Sequence, residues 1–377
     1  MMTGVTFPRH ADFQQQQQQE KDYKSTLKFT SSKPSQISEL QLLKQIGQGS
    51  FGKVWVARQR DCKETGNVLA IKAVQKTVVD PRFDSAKAIT SELTSLKRLD
   101  RGFPFIAHLR ADFSNEKFYF LVLDYASGGD LFEFLNTNGP IDETLCQMYV
   151  AELGCALEEL HSRRIIFRDL KTENVLICHD GHLKLTDFGL SKVIENELCR
   201  TQTICGTPHV MSPEIIKKES YDFKSDWWAL GTVMYEMLTG YPLFYEKSGN
   251  ILTFFHCILH KKINYPKNLT RECKEVLNRL LEKDQSKRLN SLEDLLNLNW
   301  FDAKFRNVEA LKSKKFSPSY VPKIVDGHQL SKIPADFYHP ETDCYILKPI
   351  SSNSSSNSIS SSSSSSIISS NMSDLSI

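Results

Sequence analysis

The sequence predicts an α+β chain in two lobes, a small sheet-rich lobe followed by a larger, mainly helical one. Up to about residue 125 the apolar residues come in short alternating runs such as KVWVAR and VLAIKAV; from about 130 to 300 they recur at helical spacings. A length of 377 residues leaves room for two or three compact units, and no internal repeat divides them. Lys and Arg total 47 against 45 Asp and Glu, so a net charge of +2 supplies no broad basic face for nucleic acid or an anionic membrane. Nine cysteines include no C-x-x-C pair, and the odd count reads as reduced thiols. The opening MMTGVTFPRH has no apolar signal core and no glycine at position 2, and no apolar run approaches the ~20 residues of a membrane span. The expectation is an intracellular protein, cytoplasmic with access to the nucleus, without a membrane anchor.

The elements follow in order. Residues 1–39 are polar and carry six consecutive glutamines, Gln14 to Gln19, too few apolar side chains to repay ordering. IGQGSFGKV, Ile46 to Val54, spaces three glycines G-x-G-x-x-G, so that backbone N–H groups can approach phosphate oxygens; a plain turn is the bland alternative. A dinucleotide-binding loop opens a helix and meets an acidic residue roughly 20 positions on. Here a strand follows, and Lys72 stands where the acid belongs. The loop therefore reads as a flap between two antiparallel strands. In VLAIKAV a period of two puts Val68, Ala70 and Lys72 on one face, a small residue beside a cation, unless Lys72 is an exposed edge residue. In SAKAITSELTSLKRL, Glu92 lies along the stripe of Ile89, Leu93 and Leu96. It either anchors Lys72 or sits at the solvated edge of that stripe.

The densest chemistry lies in IIFRDLKTENVLI and GHLKLTDFGLSK, where charged groups interrupt strongly apolar stretches. Asp169, Lys171 and Asn174 share one short loop, and Asp187 follows in TDFG. Asn174 and Asp187 offer hard oxygen donors suited to Mg²⁺. Asp169 is placed to take a hydroxyl proton and Lys171 to neutralise phosphoryl charge. A helix-capping turn is the alternative, and two consecutive loops of this composition argue against it.

The ordered set GQGSFGKV, LAIK, Glu92, FRDLKTEN, DFG, SPE and DWWALG, spread over residues 40–301, resembles the eukaryotic protein kinases. The resemblance implies the two-lobed protein kinase fold, a small lobe over 40–123 and a large lobe over 127–301, and ATP with Mg²⁺ as cofactors. It implies that Lys72 contacts phosphates and pairs with Glu92, that Asp169 is the catalytic base, and that Asn174 and Asp187 hold the metal. Ile46, Gly47, Gln48, Gly49, Ser50, Phe51, Gly52, Lys53 and Val54 would cover the nucleotide. Ala70, Leu123 and Leu176 would line the adenine slot, the backbone of Asp124 and Ala126 would meet the base, and Asp130 would complete the site. Phe167 replaces the family's usual histidine before Arg168 and Asp169, in a position where the ring packs rather than reacts.

RTQTICGTPHVMSPE resembles the activation segment of the AGC group, especially the cyclic-nucleotide-dependent and ribosomal-protein kinases. Thr203 then occupies the phosphorylated position, with Arg168 and Lys192 as its counter-charges, unless the loop is ordered without modification. Thr207 would bridge Asp169 and Lys171, as in kinases acting on Ser or Thr. Asp130, Glu173 and Glu236 match positions that hold upstream arginines of a substrate, although acidic surface residues are usually only solvated. Ile204, Pro208 and Met211 would line the pocket for a following apolar residue. Glu214 should pair with Arg288, and Asp226 should N-cap a buried helix that closes at Gly240. Residues 302–346 resemble the AGC C-terminal extension, in which Phe337 or Tyr338 would touch the nucleotide; the usual paired-Phe ending is missing. In the Ser-rich tail, assigned to 347–377, 17 of the last 27 residues are Ser. Protein substrates, an upstream activating kinase and a monomeric catalytic unit are the implied partners and state. A pseudokinase scaffold is the rival reading, opposed by the intact Lys72, Asp169, Asn174 and Asp187.

Overall fold

The computed structural model describes residues 40–49, 52–59, 68–76, 85–99, 102–195, 200–244 and 250–322. The 1–39 leader, Ser50, Phe51, Phe337, Tyr338 and the serine tail lie outside the described residues. Five strands build the first lobe: β1 Leu40–Gly49, β2 Gly52–Gln59, β3 Val68–Gln75, β4 Leu109–Ser114 and β5 Phe118–Asp124, in the antiparallel order β1-β2-β3-β5-β4. Gly49 pairs with Gly52 at the mouth of the β1–β2 hairpin. Gly52 has φ of 129°, and a Cβ there would stand 2.1 Å from the Ala73 carbonyl oxygen, so both conformation and space require glycine.

Helix α1, Ser85–Arg98, covers the sheet with the stripe read from sequence: Ile89, Leu93 and Leu96 are buried. Glu92 lies within it at 2% exposure, which excludes the solvated-edge alternative.

The second lobe is helical: α2 Leu131–Asn138, α3 Glu143–Ser162, α4 Pro213–Ile216, α5 Lys224–Thr239, α6 Ile251–His260, α7 Arg271–Leu280, α8 Leu292–Leu296 and α9 Val308–Lys312. Two short two-stranded sheets accompany the helices: β6 Ile165–Ile166 pairs with β9 Lys192–Val193, and β7 Val175–Ile177 with β8 Leu183–Leu185. Helices α3 and α5 cross at the centre, and α5 is buried on nearly every face, as its apolar sequence requires. Gly240 ends it in the left-handed conformation with φ of 75°, donating to Glu236 O.

The N-terminal end of α5 differs from expectation. Phe223, not Asp226, is the N-cap residue, and Asp226 lies inside the first turn. Its carboxylate is drawn away by the backbone N–H groups of Phe167 and Arg168, at 2.9 Å each, and by His161 Nε2 at 2.9 Å. Residues 302–322 run along the large lobe, where the centroid of the Tyr320 ring lies 4.5 Å from that of Phe134.

Candidate active site

Between sheet and helices opens a cavity of about 510 Å³. Ile46, Gly47 and Val54 of the hairpin line it, with Ala70, Leu123, Ala126 and Leu176 completing an apolar slot. Its other end is polar, lined by Lys72, Glu92, Asn174 and Asp187, while Asp130 and Glu173 stand at one side. Gln48, Gly52 and Lys53 do not line it; the Gln48 side chain accepts from Gln45 instead.

Lys72 is 7% exposed and so is not an edge residue. Its ammonium donates to Glu92 Oε2 at 2.8 Å and Oε1 at 3.0 Å, and to Asp187 Oδ1 at 2.7 Å. Burial disfavours the charged lysine, yet Asp187 and then Glu92 outweigh it and raise the group above its ordinary range. Burial likewise raises Glu92, opposed by Lys72, whereas Asp187 ends below the usual carboxylate range because Lys72 overcomes its own burial. One cation thus holds two carboxylates from opposite lobes.

The second cluster centres on Asp169, 6% exposed. Its Oδ1 accepts from Thr207 Oγ1 at 2.6 Å and Thr207 N at 2.9 Å; its Oδ2 accepts from Asn174 Nδ2 and meets Lys171 Nζ, both at 3.1 Å. Lys171 also donates to Thr207 Oγ1 at 2.8 Å. Thr207 therefore joins Asp169 and Lys171. Gly206 makes its approach possible: with φ of 106°, a Cβ would stand 2.6 Å from Arg168 O. The amide nitrogen of Asn174 is bound to Asp169, which leaves its oxygen as the hard donor of the residue. With the ionised Asp187, it forms a donor set that fits Mg²⁺. Arg168 and Asp187 hold φ of 70° and 64°, left-handed backbone at the two residues that frame the site. Phe167 is fully buried, its ring edge-on to Phe188 at 5.2 Å.

Arg168 donates through Nε to Leu190 O at 2.6 Å, and its Nη1 is buried without a hydrogen-bond partner. Lys192 donates to Thr201 Oγ1 at 3.0 Å, and Thr201 Oγ1 lies 3.4 Å from Thr203 Oγ1. Burial, then repulsion from Arg168, lowers the Lys192 pKa. Thr203 is exposed.

The three acidic residues also converge electrostatically. Asp130 caps α2 through Glu133 N at 2.8 Å, and burial, then Glu133 and Glu173, raise its pKa. Thr172 Oγ1 donates to Glu236 Oε2 at 3.1 Å and reaches Glu173 Oε2 at 3.4 Å. Burial, then Glu173, pushes Glu236 up to about 7. The sequence did not single out Thr172 or His209, which faces Glu173, Lys171 and Asp169 and whose pKa burial lowers. Nothing in their local pattern marks them. Of the three apolar residues read as one pocket, Ile204 is 39% exposed, but Met211 is buried at 4% against Ile215 and Tyr221, so it forms the floor beneath the segment.

A paired lysine, an acid held by threonine and lysine, and a metal-type donor set facing one slot define a phosphotransfer class of enzyme. The family description "protein kinase domain" matches residues 40–301, and the chain belongs to the protein kinase family. Its relatives are serine/threonine kinases of the AGC group. The chain is 34% identical over 320 residues to the human cAMP-dependent protein kinase catalytic subunit PRKX, covering 83% of this chain and 84% of that protein. It is 37% identical over 309 residues to Bos taurus serine/threonine-protein kinase Sgk1, covering 81% and 70%. Against Saccharomyces cerevisiae serine/threonine-protein kinase YPK1 it is 36% identical over 319 residues, covering 84% of this chain and 45% of that protein. Among the described residues, no helix is long and apolar enough to cross a membrane.

Proposed function

We propose that this chain transfers the γ-phosphoryl group of ATP to Ser or Thr hydroxyls in protein sites with upstream basic residues, and that a phosphate on Thr203 raises its activity. The observation that carries the catalytic reading is Asp169 held by Thr207, Asn174 and Lys171, with Asn174 lining the same polar end of the slot as Lys72. The acceptor oxygen bonds to the γ-phosphorus, the bond to the ADP oxygen breaks, and the hydroxyl proton passes to an Asp169 carboxylate oxygen. Lys171 offsets charge on the moving phosphoryl group, and Thr207 keeps Asp169 and Lys171 in register. Lys72, fixed by Glu92, points a cation at the α- and β-phosphates, while Ala70, Leu123, Leu176 and the Asp124–Ala126 backbone take the base. Asn174 and Asp187 would hold Mg²⁺, which supplies charge neutralisation on the phosphate oxygens when bound.

Two clusters support the finer readings. Glu236, Glu173 and Asp130 place carboxylates side by side, an arrangement favouring a substrate guanidinium. The buried Arg168 Nη1, and the Lys192 ammonium on Thr201 whose Oγ1 lies 3.4 Å from Thr203 Oγ1, favour a phosphate on exposed Thr203. An upstream kinase would supply it, and residues 302–346 would act as the AGC-type extension of the catalytic domain. Phosphate transfer from ATP to an Arg-containing Ser peptide, with Asp169→Ala as control, tests the catalytic reading. Equal transfer by both forms, or none by the Thr203-phosphorylated parent, would overturn it.

A further inference from the structure

Asp124 is the last residue of β5, where the sheet lobe passes the chain to Tyr125 and Ala126 in the wall of the slot. Its carboxylate, 10% exposed, gathers donors from both lobes. Oδ1 accepts from Arg110 Nε of β4 at 2.5 Å; Oδ2 accepts from the His108 backbone N–H at 3.3 Å and from Lys184 Nζ at 2.5 Å. Burial pushes this carboxyl up, but Lys184 and then Arg110 outweigh it and hold the group below its usual range. Lys184 lies mid-strand in β8, between buried Leu183 and Leu185, so the strand's alternation turns it away from the core and toward the linker. Two residues past the end of β8 comes Asp187, which meets Lys72 at the polar end of the slot.

We propose that the Asp124–Lys184 ion pair is a strut across the lobes that sets the distance between the adenine end and the phosphate end of the slot, making Lys184 a positioning residue for the nucleotide. The proposal rests on reading the slot as an ATP site. Lys184 touches none of the groups assigned to chemistry; it acts through the two-residue step from Leu185 to Asp187 on one side and through the β5 terminus on the other. The arrangement also separates this role from folding. Backbone bonds from Ala107 N to Leu185 O and from Leu185 N to Phe105 O, 2.9 Å each, anchor β8 without Lys184, and Arg110 still satisfies Asp124. Loss of the ammonium therefore removes the lobe-crossing bond on the linker side and leaves the rest.

The experiment compares the full-length parent with Lys184→Met, Lys184→Arg and Arg110→Met, by calorimetric ATP affinity in the presence of Mg²⁺ and by steady-state kinetics. For Lys184→Met the expected result is a rise of about three- to tenfold in both ATP Kd and KM for ATP, with kcat and the peptide KM within about twofold of the parent. Lys184→Arg restores most of the affinity, and Arg110→Met, which cuts a bond within one lobe, has a smaller effect. Parent-like ATP affinity in Lys184→Met, or a loss of kcat with KM for ATP unmoved, overturns the strut. A parent that binds no ATP overturns the reading of the slot itself, a different outcome from a parent and variant that bind it equally.

Discussion

At the scale of single residues, the site is governed by burial set against a few partners. Glu236 keeps its proton up to about 7 because it is buried beside Glu173, and a substrate guanidinium would reverse that balance. The kcat/KM for a peptide with upstream Arg should therefore climb as pH rises through about 7, more steeply than for a peptide with Leu there; parallel pH profiles would remove Glu236 from recognition. Stability moves in the opposite direction. The folded-state pKa of Glu236 is raised from 4.5 to about 7, so its contribution is present below the lower value and lost as pH rises through the upper one. Urea midpoints for the parent and Glu236→Gln, taken between about pH 5 and 8, should show the parent losing ground with pH relative to the variant. At Thr203 the balance concerns an anion: phosphate would satisfy Arg168 Nη1 and relieve the repulsion between Arg168 and Lys192. Thr203→Ala should lower turnover of kinase otherwise phosphorylated there, by roughly tenfold or more if two charge-assisted bonds are lost. Unchanged turnover would remove the switch.

At the scale of elements, α5 is the post on which the loop carrying Asp169 hangs. Asp226 of its first turn accepts the N–H groups of Phe167 and Arg168, immediately before Asp169, from a position only 1% exposed. Arg168 adopts left-handed backbone there, and these bonds help over-determine a conformation that costs of the order of 1–3 kcal/mol. Asp226→Ala would leave two backbone donors and His161 unsatisfied. The expected outcome is a loss of about 3 kcal/mol or more in unfolding free energy, accompanied by a fall in kcat of the folded fraction. A variant with parental stability and kcat would show that the loop holds its shape without the helix.

At the scale of the whole molecule, distant segments are joined by buried pairs. Arg288, fully buried, donates to Glu214 Oε1 at 2.6 Å and Oε2 at 2.9 Å, tying α4 to the segment after α7. Burial raises the Glu214 carboxyl, but Arg288 outweighs it and leaves the group below its usual range. Arg288→Met should cost about 3–5 kcal/mol because Glu214 is left charged and unpaired, and the double variant with Glu214→Gln should recover part of that loss. Thermal unfolding measures it; a small change in midpoint would mean that the pair is dispensable.

Much of this arrangement was legible in the chain because each signal was local. The period of two in VLAIKAV, the stripe on α1, the glycine at 240 and the ordered loops around Asp169 and Asp187 each specify a conformation or a chemistry within a few residues. The Lys72–Glu92 question stayed even at that level and was decided by burial, since only packing puts Glu92 inside the sheet lobe. Asp226 looked like a cap because a helix start is a local feature; its real partners lie about 60 residues away, and two buried N–H groups outcompete a cap position that solvent can satisfy. The same reason hid Thr172, His209 and the Asp124–Lys184 pair. The sequence alone determined the periodicities, the residues that the two loops carry and the family to which they belong. The tertiary structure decided which charges meet, because a charge's partner and pKa depend on distance and burial, and neither is a property of a segment by itself.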